Sequence, residues 1–142
     1  MTIGRIIDGR DAAILTCNAS DSVRHAIAML AERRIGALPV MEAGQIAGIF
    51  SERDVIYKLS EQGPAVLDRQ VGDVMTAPPV TVGPQTEVLA ALSLMTKRRI
   101  RHLPVMEHGE MVGFVSIGDL VKYRIDRIES EAEALRTYIQ TA

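Results

Sequence analysis

The chain has a single cysteine, Cys17, among 142 residues. That excludes an internal disulfide and a CxxC redox pair, and it suits a reducing compartment in which a lone thiol is buried and inert. No apolar run approaches the ~18 residues that cross a bilayer, and the N-terminus lacks a charged segment followed by an apolar one. Neither a membrane span nor a signal peptide is expected, and the expected location is the cytoplasm. Charge of one sign is lacking too. Sixteen basic residues are interspersed with 18 acidic ones for a formal net charge of −2, which argues against nucleic acid or a membrane surface as a partner but leaves room for a small basic pocket. No His, Cys or Asp cluster has metal-ligand spacing, no glycine loop cradles phosphate, and no nucleophile has a base nearby in sequence. Metal and enzyme readings are therefore both disfavoured. His25, on a polar helix face, and His108, in a hairpin turn, read as solvated.

What the chain does have is a repeat. The segment from Arg33 to Gly44, RRIGALPVMEAG, returns from Arg98 to Gly109 as RRIRHLPVMEHG. Pro39 pairs with Pro104, Asp54 with Asp119 and Thr16 with Thr81, each at one offset (104 − 39 = 65), so one fold is used twice. With 47% hydrophobic and 24% charged residues the chain can bury a core. Units of about 65 residues are close to the size at which surface dominates volume, so the halves are expected to share one core.

In the first copy Ala13 to Thr16 reads as a strand. Ser20 or Asp21 is placed to cap a helix with the apolar stripe Val23, Ala26, Ile27 and Leu30. Leu38 to Met41 and Ile46 to Phe50 read as a hairpin turning at Gly44, and a second helix starts near Ser51. The second copy repeats this with a strand from Pro79 to Val82, the stripe Val88, Ala91, Leu92 and Met95, a hairpin, and a helix from Ser116. Methionines such as Met41, Met95, Met106 and Met111 fall on apolar faces as core filler. The expected division is a first repeat over 3–60, a connector over 61–70, in which Gln62, Gly63 and Pro64 break the helix, and a second repeat over 71–122. A helical extension over 123–142 completes a single module, 1–142. Along the last helix Val121, Ile125, Ile128, Ala132, Leu135 and Ile139 follow steps of four and three, a seam expected to meet a second chain.

Each hairpin ends in GhxSxxD, with h apolar: Gly48, Ser51 and Asp54, then Gly113, Ser116 and Asp119. Glycine permits close approach to the backbone, serine offers a hydroxyl, and the carboxylate could accept both hydroxyls of a ribose. The adjoining helix N-terminus presents unpaired amides to phosphate. The competing explanation is a helix capping box, Ser with an acid three residues on.

These ordered duplicates, with the LPV strand and the glycine hairpin, resemble a tandem pair of cystathionine-β-synthase (CBS) domains, a Bateman module, from about Ile3 to Val121. The resemblance implies an α/β fold of two βαββα repeats about a pseudo-twofold axis, packed sheet to sheet, with the C-terminal helix outside it. It also implies two clefts for adenosine derivatives such as AMP, ADP, ATP, NAD or S-adenosylmethionine, held as regulatory ligands rather than required cofactors, and pairing of modules into a homodimer.

In that family each cleft combines GhxSxxD of one repeat with the two residues before LPV of the other. Carried over, the first cleft comprises Ser51, Arg53, Asp54, Arg101 and His102, with Pro79 and Val80 at the adenine. Arg101 chelates phosphate, and an anion beside His102 favours its protonated form. The second cleft comprises Ser116, Asp119, Gly36 and Ala37, walled by Ile14 and Leu15. It lacks the two cations and is expected to take less charged adenosine compounds or nothing. The implied function is a stand-alone nucleotide sensor acting through its homodimer or an effector protein that the sequence does not identify. The alternative is a ligand-free structural dimerisation domain.

Overall fold

The structure is a computed structural model that describes residues 1–10 and 13–141. Asp11, Ala12 and Ala142 lie outside the described residues. The elements run α1 (Ile3–Ile7), β1 (Cys17–Asn18), α2 (Val23–Arg33), β2 (Ala37–Glu42), β3 (Gln45–Ser51), α3 (Glu52–Gln62), a 3-10 turn (Gly63–Asp68), α4 (Val71–Val74), α5 (Val88–Arg98), β4 (His102–Glu107), β5 (Glu110–Ser116) and α6 (Ile117–Thr141).

The two hairpins are copies in register. Ala37 opposes Ser51 and Val40 opposes Gly48, then His102 opposes Ser116 and Val105 opposes Gly113, each pair displaced by 65 residues. The strands extend further than expected and leave two-residue turns, Ala43–Gly44 and His108–Gly109, all four residues at positive φ. Such turns match the twist of the strands they join.

The expected strands Ala13–Thr16 and Pro79–Val82 are largely absent. β1 covers only Cys17 and Asn18, parallel to β2 with Cys17 opposite Val40, and the second repeat keeps a single parallel bridge, Val82 to Val105. Pro78 and Pro79 have no N–H for a ladder, and Ala13, Ile14 and Leu15 line a cavity instead. The cap of α2 is Ser22, whose hydroxyl accepts from His25 N–H at 3.0 Å, not Ser20 or Asp21. Asp21 is engaged with the Asn18 amide at 2.8 Å.

The halves do not share one core. Buried residues form two clusters, one with Val23, Ala26, Leu30, Leu38, Val40 and Phe50, the other with Val88, Ala91, Met95, Leu103, Val105 and Leu120. Each is completed by a segment from outside its repeat. Ile3 of α1 is buried in the second cluster, whereas Val66, Val71 and Val74, which follow the first repeat, are buried in the first. Backbone bonds fix the exchange: Ile3 N–H donates to Thr86 O at 2.8 Å, and Val71 N–H to Asp21 O at 2.8 Å. Burying such a side chain contributes about 1.5–3 kcal/mol, which is how a unit this small gains a core of its own.

α6 spans 25 residues and buries only Leu120. Beyond Arg124 its stripe is uncovered in the single chain except at half-buried Ala132, with Leu135 59% and Ile139 64% exposed. No helix among the described residues is long and apolar enough to cross a membrane.

Candidate functional site

Gly48 and Gly113 each lie beneath a borrowed segment. A Cβ on Gly48 would sit 2.7 Å from both Met75 Sδ and Thr76 O, and one on Gly113 would sit 2.8 Å from Ile7 Cγ2. The close approach that glycine permits is thus used by the protein's own backbone and side chains. In the first repeat the approach is an antiparallel bridge, with Thr76 N–H donating to Ile49 O and Ile49 N–H to Thr76 O, both at 2.9 Å.

Both serine–aspartate pairs are capping boxes. Ser51 N–H donates to Asp54 Oδ2 at 2.9 Å and Asp54 N–H to Ser51 Oγ at 3.4 Å. Ser116 N–H donates to Asp119 Oδ2 at 2.8 Å, with the return bond at 3.1 Å. Capping therefore occupies one carboxylate oxygen in each pair and leaves Oδ1 to face other groups. At Asp54 that oxygen accepts the Thr76 hydroxyl at 2.9 Å. At Asp119 it faces the Arg10 guanidinium at 3.0 Å.

A cavity of about 290 Å³ gathers Ser51, Arg53, Asp54, Pro79, Val80, Arg101 and His102, all the residues expected in the first cleft, from both repeats. It also brings in Glu52, Tyr57, Thr76 and Arg99, which the sequence reading missed. Arg53 pairs with neither acid beside it. Its Nη1 donates at 2.9 Å to the carbonyl of Arg99, which ends α5 in a left-handed conformation at φ 54. The bond ties α3 to the other repeat and uses one of five guanidinium donors.

His102 stacks on Phe114, ring centroids 5.5 Å apart and 16° from parallel. Burial lowers its pKa below 6.5, with Arg101 adding to the effect and the charges of Asp119 and Glu52 opposing it. The protein alone thus disfavours the protonated imidazole, because loss of water outweighs the nearby acids, and the protonated form expected beside an anion requires that anion.

A second cavity, about 350 Å³, gathers Ile14, Leu15, Ala37, Ser116 and Asp119 with Ile7, Val112, Phe114 and His102. Gly36, expected here, lines the first cavity instead. Its carbonyl accepts from Glu52 N–H at 3.0 Å, and a Cβ in its place would lie 3.4 Å from His102 Cε1. Ala37 and His102 border both cavities. Glycine and alanine stand where the first cleft has Arg101 and His102, and a cation enters this cleft from outside the repeated motifs, Arg10. Burial would raise the Asp119 pKa, but hydrogen bonds from Ser116 N–H and Arg10, the Arg10 charge and the Ser116 hydroxyl hold it below 3.8. Among the described residues no group of three or more His, Cys, Asp or Glu could hold a metal ion. Cys17 is buried and its thiol is pushed up to about 11, by burial first and the Asp21 charge second.

Two hairpins in one register, with an acid at the head of the following helix in each, match what is known of other chains. The family model of the CBS domain matches residues 10–61 and 71–126. The chain is 40% identical over 135 residues to the mitochondrial CBS domain-containing protein CBSX3 of Arabidopsis thaliana, covering 92% of this chain and 66% of that protein, just under two thirds of its length. A putative signal-transduction protein with CBS domains from Burkholderia ambifaria superposes with a TM-score of 0.83 at 38% identity, over 89% of this chain and 95% of the other. CBSX2, solved in complex with AMP, superposes at 0.74 with 25% identity, over 88% and 96%. With both repeats matched and the fold shared along nearly its whole length, the chain belongs to the CBS-domain family, as a tandem pair of CBS domains.

Proposed function

We propose that this CBS pair is a regulatory module that binds an adenine nucleotide in the first cleft, with AMP the simplest ligand that uses all of it. One observation carries the reading. A single cavity unites Arg101, Arg53 and His102, suited to phosphate, with Asp54, whose acceptor oxygen suits ribose hydroxyls, and with the apolar wall of Pro79 and Val80. The AMP complex of CBSX2 supports the ligand class. A phosphate next to His102 supplies the negative charge that favours its proton, so binding and protonation reinforce each other. ATP and NAD(H) extend beyond the same core contacts. The single buried thiol suits the cytoplasm, and the uncovered stripe of α6 suits a homodimer or an effector protein. Regulation by binding, not catalysis, fits a site whose two serines are helix caps.

A second reading, a ligand-free dimerisation domain, is favoured by the intramolecular partners that both Asp54 oxygens already have. Calorimetry with AMP and adenosine separates the two. Arg101→Ala should weaken AMP about tenfold or more while changing adenosine little, because only AMP loses a charge-assisted contact, worth about 1.5–3 kcal/mol. Equal loss for both ligands, or no binding of either to the wild type, would reject the nucleotide reading.

A further inference from the structure

The two clefts fill one structural slot by different means. In the first, Thr76 makes two donations across the borrowed segment, from its backbone N–H to Ile49 O and from its hydroxyl to Asp54 Oδ1, both at 2.9 Å. The 65-residue counterparts of those acceptors are Phe114 and Asp119. There a single side chain makes both donations: Arg10 Nη1 to Phe114 O at 3.3 Å and Arg10 Nη2 to Asp119 Oδ1 at 3.0 Å. A β-bridge is held by the backbone and persists when the hydroxyl turns away. A guanidinium on a flexible stem holds neither acceptor once it swings out. Arg10 also neutralises the carboxylate that it covers, whereas no Lys, Arg or His lies within ion-pair distance of Asp54 among the described residues.

We propose that Arg10 sets the ligand preference of the second cleft by occupying Asp119 where a ribose would bind, so that a nucleoside enters only by displacing it. This rests on the reading that the acid of GhxSxxD receives ribose hydroxyls. The pair is half-exposed, at 39% for Arg10 and 33% for Asp119, so the contact is weak enough to be displaced and is sensitive to salt. The second cleft therefore answers to a neutral nucleoside at higher concentration than its shape alone requires.

The test is adenosine calorimetry in an Asp54→Asn background, which isolates the second cleft, with Arg10 intact or replaced by Gln or by Ala. Replacement of Arg10 should tighten adenosine about twofold, roughly 0.4 kcal/mol, the scale of a half-exposed ion pair. Adding Asp119→Asn should abolish the gain, and raising salt should tighten binding only while Arg10 is present. Equal or weaker adenosine binding without Arg10, or no binding in either protein, overturns the proposal. So does a loss of AMP affinity on replacing Arg10, which makes it a phosphate ligand instead. Wild type against Asp54→Asn reports separately on the first cleft, so the two ideas can fail independently.

Discussion

The first and second clefts have the same frame and opposite uses of charge. Both have a serine–aspartate box at a helix start, a glycine under a borrowed segment and a wall just before the first strand of a repeat. In the first, Arg53, Arg101 and His102 share the cavity while the acid accepts only from neutral partners. In the second, glycine or alanine stands at the counterparts, Gly118, Gly36 and Ala37, and Arg10 lies on the acid. A duplicated scaffold can thus keep its geometry while the electrostatics of its two sites diverge, because the cleft residues that differ are not the ones that build the cap.

The largest difference should appear when the two glycines are filled. Gly48→Ala drives a Cβ against the Thr76 carbonyl, a backbone atom in a bridge that cannot move alone, and should cost about 2–3 kcal/mol. Gly113→Ala meets the branched end of the Ile7 side chain, which can turn, and should cost about 1 kcal/mol. Denaturant titration of both variants checks the order, and equal losses would mean that the two segments are equally rigid.

A smaller contrast separates the acids. Asp54→Ala and Asp119→Ala should each lose about 1 kcal/mol of capping. Only the Asp119 loss should shrink in molar salt, because only its outer oxygen faces a cation, and that half-exposed pair adds at most a fraction of a kcal/mol. Thermal melts at low and high ionic strength measure this.

The smallest effect concerns His102, whose counterpart Ala37 cannot titrate. Its folded pKa is depressed, so the unfolded chain binds more protons between that value and 6.5. Stability should therefore fall as pH drops below 6.5, and His102→Gln should flatten that part of the melting profile. Asp119, depressed below 3.8, acts in the same direction but only at lower pH. A profile unchanged by His102→Gln would place the acid loss elsewhere.

Much of this was legible because two copies could be read against each other. The hairpins and the capping boxes at Ser51 and Ser116 rest on local periodicity and on motifs, which are properties of neighbours in sequence, whereas the seven residues expected in the first cleft follow from the resemblance to CBS pairs. What escaped depends on chain crossing. Ile3 looks like the start of the first repeat and is buried in the second cluster. Thr76 reads as the opening of the second repeat, yet a bridge to Ile49 aims its hydroxyl at Asp54 in the first. Arg10 is one exposed arginine among many until the fold brings it 3.0 Å from Asp119. One signal was available for Thr76. Under the 65-residue offset it aligns with Asp11, polar against polar just ahead of each wall, and a comparison carried upstream of Thr16 and Thr81 would have marked it.

The exchange of leading segments also sets a timetable for synthesis. The first core can close only after Val74 has been made, whereas Ile3, which precedes that core in the chain, has its partners at Thr86, Val88 and beyond. α1 is therefore made before the first core and docks after it, kept waiting while some eighty residues are added. During that interval Ile3, Ile6 and Ile7 remain without their core, and a nascent chain at this stage displays a sticky segment that the folded protein covers.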